Sequence, residues 1–330
     1  MLVGVMALAL ITAFLSDFSR LVEVFKQVQI LFFLSAFVTA SFAYGASALS
    51  FRIIFQMVPY RVPLLKFFSI MFISDTVNFI ISSGGMSSIA NRALLLKREG
   101  VPVSVSVPLS LAQNMIFNLT LCGFCAGGLF YLQGHPEFTG GPKEKVLFLF
   151  MGGLLAVVAV MALTFLHHNF RQWVLGLFFQ GWDGVSLILK RPRPNKKSWK
   201  MILGQIDGTI VILTRGWARL GLVFLLILVN WFWMALTFYL CFRAVGVDLP
   251  LGLLAIGFMV MFLSSNINPV PAGLGVSESL LAFTFKMLGA GFESTLVAAL
   301  LFRLVYYLIP LAIATGLYLE TMRSILREQS

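Results

Sequence analysis

The chain has 330 residues, 59% of them hydrophobic and 11% charged, with a formal net charge of +11. Mean hydropathy is +0.94, and apolar runs of about twenty residues recur along the chain, so it reads as a polytopic helical membrane protein with no soluble catalytic domain. Its positive charge gathers in a few connections, where the positive-inside rule explains it better than nucleic acid does.

Residues 1–16 are apolar from Met1, without a basic leader or a small-residue cleavage site, and are expected as a retained first span. Residues 17–29 are amphipathic with no net charge, and 30–50 cross. Arg52, Arg61 and Lys66 then give the connection 51–66 a charge of +3. The stretch 67–97 is apolar up to Lys97 apart from Asp75, Asn78 and Arg92, and Ser82-Ser83-Gly84-Gly85 interrupts it. The next turn carries +2 from Arg92, Lys97, Arg98 and Glu99. Were 67–83 a full crossing, one of these two basic connections would face outward; a re-entrant hairpin over 67–97 keeps both in the cytoplasm.

Residues 103–132 are long enough to cross with tilt or a kink. Charges in 133–145 cancel, which suits the outside, and 146–166 returns. The segment 167–200 carries +6 and ends in a run from Lys190 to Lys197, the strongest cytoplasmic marker; contact with anionic phospholipid is a second reading. With the mixed, interfacial stretch 201–218 it forms a basic connection over 167–218. Residues 219–241 span outward, 250–288 form a second hairpin, and 294–319 cross inward. The expected count is six full crossings and two hairpins in one transmembrane domain, 1–330, with both termini cytoplasmic. Cys122 and Cys125 sit in an apolar helix without a second ligand pair, and adjacent His167 and His168 face differently, so neither metal nor cofactor is expected.

The break in the second hairpin is Asn268-Pro269-Val270-Pro271-Ala272-Gly273-Leu274-Gly275-Val276-Ser277-Glu278. Proline lacks a donor and glycine tolerates backbone shapes closed to other residues, so a helix stops here. Such a break lies either at the membrane surface or, within the bilayer, against protein or a polar cavity. Shifting the chain by 189 residues gives it a counterpart: 30–50 falls on 219–239, the hairpins coincide, and Gly84 meets Gly273. Repeat one is then 30–132 and repeat two 219–320. Because the first hairpin dips from the cytoplasm and the second from outside, the halves are inverted copies, an arrangement that serves alternating access.

Buried charges mark candidate sites. An ionised side chain at the bilayer centre costs about 2.5–3.5 kcal/mol on insertion scales, so it is retained for a partner or a ligand. Glu278 and Arg303 are read either as a structural ion pair or as a site in which Arg303 receives a lipid phosphate. Asp75 and Arg92 form a second possible pair, unless Arg92 snorkels to the surface with Lys97. Asn78, Asn114 and Asn118 add hydrogen-bonding capacity, and Tyr306 and Tyr307 either line the cavity or anchor at the interface. Half-helix N-termini after Gly85 and Gly275 offer free amides to an anion.

These residues carry a family resemblance. The 268–278 element, Leu288-Gly289, and Arg303 followed by Tyr306, Tyr307 and Pro310 resemble the C-terminal signature of the lysylphosphatidylglycerol synthase transmembrane-domain family. Ser83-Gly84-Gly85 through Arg92 to Leu96, with Gly100-Val101-Pro102, resembles its N-terminal element. The resemblance implies a prokaryotic plasma membrane protein similar to the flippase half of bifunctional lipid-aminoacylating proteins, here standing alone without the synthase domain. It also implies membrane phospholipids, anionic or aminoacylated, as partners, alongside a separate lipid-modifying enzyme or further copies of the chain. Two departures stand out: Gln113, Asn114 and Asn118 occupy positions where members carry a glutamate-arginine pair and an aspartate, and Ala272 replaces a glycine. The expected function is lipid translocation. The alternatives are a membrane-embedded transferase using a lipid-linked substrate and an accessory subunit of a lipid-modifying enzyme.

Overall fold

The computed structural model describes residues 18–81, 85–133, 216–267 and 275–328, with isolated positions between 148 and 204. The span expected over 1–16, most of that over 146–166, nearly all of the basic connection 167–218, and Gly84, Pro269, Pro271 and Gly273 lie outside the described residues. Within them the chain is all-helical. The amphipathic stretch forms α1 (Phe18–Lys26), and the first half continues as α2 (Ile30–Phe55), α3 (Leu64–Ile81), α4 (Met86–Arg98) and α5 (Val103–Gln133). The second half comprises α6 (Trp217–Ala244), α7 (Leu251–Ile267), α8 (Val276–Met287), α9 (Phe292–Arg303) and α10 (Ile309–Glu328). A π-helical turn, Leu304–Leu308, joins α9 to α10.

Among the described residues, four helical stretches are long and apolar enough to cross a membrane: Ile30–Phe55, Val103–Tyr131, Ala218–Ala244 and Phe292–Leu319. The shortest has 26 residues, about 39 Å of helix at about 1.5 Å per residue against a hydrocarbon core of roughly 30 Å. With 13 and 12 residues, α4 and α8 fall well short of a crossing.

The central seam is α2 against α6. Ala36, Ala40 and Ala43 are buried along it, and side chains this small let two helix backbones approach closely. The two run antiparallel. The Gln29 N–H donates to the Ala244 carbonyl at 2.8 Å, the Thr39 and Thr237 hydroxyls meet at 2.8 Å, and Phe42 stacks on Trp233. Around this seam α3 packs on α4 and α7 on α8. The long helices then cross over: α7 rests on α5 of the first half, and α3 on α10 of the second. At the first crossover a Cβ on Gly128 would stand 2.0 Å from that of Ala255, so only glycine permits the approach. The Cys125 thiol donates to the Ala255 carbonyl at 3.8 Å there, a packing contact.

The short helices α4 and α8 are built alike. Gly85 (φ 94) precedes α4 and Gly275 (φ 85) precedes α8. Both end in a left-handed glycine, Gly100 and Gly289, followed by a bond back across the last turn: Val101 N–H to the Leu96 carbonyl at 3.0 Å and Ala290 N–H to the Phe285 carbonyl at 2.8 Å. These are Schellman terminations, and their matched positions, Gly100 with Gly289 and Leu96 with Phe285, are separated by 189, whereas Gly85 and Gly275 stand 190 apart.

A polar cavity between the halves as candidate functional site

In the first half, α3 brings Asp75 and Asn78 and α4 brings Ser88 and Arg92 to a cavity of about 90 Å³. Gln113, Asn114 and Asn118 of α5 and Tyr44 and Ser47 of α2 complete its first-half wall. The second half adds Asn230 and Met234 from α6 and Tyr306 from the π turn.

Arg92 is its organising side chain. Only 6% exposed, it does not snorkel outward. Nη2 pairs with Asp75 Oδ1, Nη1 donates to Gln113 Oε1 at 2.6 Å, and the guanidinium lies 5.0 Å from the Phe51 ring centroid. Gln113 is held in turn, donating through Nε2 to Ser50 Oγ at 2.7 Å and to the Ser47 carbonyl at 3.0 Å. Asp75 accepts from the Ser47 and Ser88 hydroxyls, both at 3.1 Å. The charges cancel within a hydrogen-bonded network, the condition under which ionised groups persist in apolar surroundings. Among the described residues, two donors in this wall remain unused: Arg92 Nε and Asn230 Nδ2 have no hydrogen-bond partner, although Asn230 is only 1% exposed.

Asn78 accepts from Ser87 Oγ at 2.9 Å, and Asn118 Nδ2 donates to the Asn114 carbonyl at 2.8 Å. The Asn114 amide lies against the start of α4: a Cβ on Gly85 would stand 2.6 Å from Asn114 Oδ1. Glycine is required at position 85 both for this approach and for its positive φ.

Glu278 and Arg303 form a separate site. They pair with each other at 0% and 3% side-chain exposure and are not among the residues lining the cavity. Glu278 Oε2 also accepts the Gly275 N–H at 3.0 Å, closing the first turn of α8, and Arg303 lies 5.6 Å from the Tyr307 ring centroid. Of the nine expected substrate-binding residues, Asp75, Asn78, Arg92, Asn114, Asn118 and Tyr306 thus share the cavity, whereas Glu278, Arg303 and Tyr307 cluster apart. The 189-residue shift relates the clusters, since Ile89 and Asn114 of the cavity wall correspond to Glu278 and Arg303.

Tyr44 closes the cavity toward α10. Pro310 has no N–H to offer the carbonyl four residues earlier, that of Tyr306, and the Tyr44 hydroxyl donates to it instead at 2.8 Å. Its ring stacks on Tyr306 with centroids 5.0 Å apart. At the corresponding place in the first half, Trp231 Nε1 donates to the Phe117 carbonyl at 3.3 Å. Sequence reasoning passed over Tyr44 and Asn230. A lone amide inside the apolar run 219–241 was the available signal for Asn230, by the same cost argument that singled out the charges.

The sequence profile of a family described as "Lysylphosphatidylglycerol synthase TM region" matches residues 1–314. The chain belongs to this family. It is therefore a multi-pass membrane protein of a lipid-related family, in keeping with its crossing helices. A phosphatidylglycerol lysyltransferase of Staphylococcus haemolyticus (strain JCSC1435) is 23% identical over 303 residues, 90% of this chain and 30% of that protein. One of Staphylococcus xylosus is 32% identical over 96 residues, 29% of this chain and 11% of that protein. The chain thus matches less than a third of the length of either curated relative.

Proposed function

We propose that the protein is a lipid translocase, moving a phospholipid or head-group-modified phospholipid between leaflets by alternating exposure of a central polar site. The observation that carries this reading is the neutral, hydrogen-bonded cavity around Arg92 and Asp75, walled by both halves and retaining unused donors on Arg92 and Asn230. A lipid head group supplies acceptor oxygens for those donors. Family membership supports a lipid as cargo, and the alternation of halves follows from inverted repeats over 30–132 and 219–320. In support of that inversion, α2 and α6 correspond under the 189-residue shift and pack antiparallel, so a two-fold axis relating them lies across the helices, in the membrane plane. The crossed packing of α7 on α5 and α3 on α10 fits the same axis.

In this reading α3–α4 and α7–α8 are re-entrant hairpins, 67–97 and 250–288, entering from opposite sides of a prokaryotic plasma membrane with both termini cytoplasmic. The first-half site holds the head group through Arg92, Asn78, Asn114 and Asn118. The Glu278–Arg303 pair fills the corresponding place in the second half. When that half opens, Arg303 receives the lipid phosphate and Tyr307 lines the path. Reconstitution in liposomes with labelled anionic and aminoacylated lipids tests this. Movement that survives Glu278→Gln and Arg303→Ala undiminished removes those two residues from the transport cycle.

A further inference from the structure

Tyr44 forms part of the wall of two spaces. One is the polar cavity; the other is a groove of about 380 Å³ between α2, α3 and α10, to which the π turn adds Val305. Among the described residues none that lines the groove is charged, and it presents Phe37, Phe68, Phe72, Ile313 and Leu317. Of its two serines, Ser41 and Ser69, Ser41 donates its hydroxyl back to the Phe37 carbonyl at 2.9 Å. Gly45 also lines it, and a Cβ there would meet no atom within 4 Å. A polar pocket with unused donors and an apolar channel thus share one aromatic wall. That is the division of an amphiphile: acceptor oxygens on one side of Tyr44, hydrocarbon on the other.

We infer that the groove holds one acyl chain of a phospholipid whose phosphate-bearing head group enters the cavity past Tyr44. The inference rests on the translocase reading of the cavity and adds where the chain lies and which residue stands between chain and head. Head-group passage swings the Tyr44 ring off Tyr306, and the carbonyl it releases lies in a π turn, a helix distortion frequent at functional sites.

The test uses the full chain in phospholipid vesicles with two photoreactive probes, each bearing a diazirine on an acyl chain: a phosphatidylglycerol and a diacylglycerol without phosphate. The phosphatidylglycerol probe is expected to label groove residues, with the diacylglycerol labelling them several-fold less. Gly45→Phe fills the groove without striking the backbone and should cut labelling about ten-fold, a 1.4 kcal/mol change at equilibrium. Gly221→Phe, at an exposed position of α6 that is equally open, should leave it unchanged. Groove labelling insensitive to Gly45→Phe, equal labelling by both probes, or crosslinks joining two copies of the chain through the groove would each overturn the inference. Lipid movement recorded on the same vesicles separates the two claims. Movement that persists in Gly45→Phe with unaltered labelling overturns the groove and leaves the translocase standing. Groove labelling without movement in the wild type overturns the translocase and leaves the lipid site standing.

Discussion

The Tyr44 hydroxyl donates at 2.8 Å to the carbonyl of Tyr306, four residues before Pro310, which has no N–H to give. A helix carrying proline persists in a membrane when a neighbour satisfies the freed carbonyl, and here the neighbour comes from the other half of the chain. Tyr44→Phe keeps the ring stack and removes the donor. It should destabilise the protein by about 0.5–1.5 kcal/mol, the net worth of one intramolecular hydrogen bond. Thermal unfolding in detergent measures this; an unchanged midpoint would mean that the Tyr306 carbonyl has another donor available.

The Glu278–Arg303 pair, at 0% and 3% exposure, gives the largest expected stability effects. Arg303→Ala leaves a buried carboxylate and Glu278→Gln a buried guanidinium, each costing about 3–5 kcal/mol. Replacing both by apolar groups, as in Glu278→Leu with Arg303→Met, should cost less than either single change, because no charge is left unpaired. A double-mutant cycle on unfolding midpoints gives the coupling directly, and simple additivity would rule out the pairing as the main determinant.

Arg92 and Asn230 line the same cavity, and their variants should differ in stability while both slow lipid movement. Lysine at position 92 replaces the planar fork that holds Asp75 and Gln113 with a single ammonium and loses the planar contact over Phe51. Arg92→Lys should therefore cost about 1.5–3 kcal/mol, the range for a charged hydrogen bond, and also slow lipid movement. Asn230→Leu removes an amide whose Nδ2 has no partner; it should leave stability unchanged or raise it while slowing movement. Unfolding and transport assays on the two variants make the comparison.

Gly85 combines a φ of 94 with the Asn114 side chain 2.6 Å from where a Cβ would stand. Gly85→Ala should be destabilising on both counts, and adding Asn114→Ala should recover the steric part only. The remainder, about 1–2 kcal/mol, is the backbone cost of a left-handed L-residue. Full recovery in the double variant would assign the whole effect to crowding.

Much of this architecture could be read from residue order because hydrocarbon imposes strict terms. Apolar length located α2, α5 and α6 to within a few residues, the first ending at Phe55 and not at residue 50. The glycines at 85 and 275 marked the starts of α4 and α8, since few other residues adopt their φ. Charge cost pointed to Glu278–Arg303 as a pair and to Asp75–Arg92 as one of two readings of Arg92, the other being snorkelling with Lys97, and both pairs form. Cost alone could not say which pair borders open space, because that depends on how α4, α5 and α6 meet. Asn230 and Tyr44 were missed for a related reason: one amide or hydroxyl in an apolar span becomes informative only once the opposing helix is known. The π turn before Pro310 was equally hidden, as proline signals a break without fixing its form.

The most direct test of the account is lipid movement in liposomes containing the wild-type chain or Arg92→Ala, each checked for folding by its unfolding transition. Labelled anionic and aminoacylated phospholipids report transfer between leaflets. The wild type should move at least one of these lipids well above protein-free vesicles, and a folded Arg92→Ala should fall to the protein-free rate. A folded Arg92→Ala that moves lipid as fast as the wild type would contradict transport through this cavity.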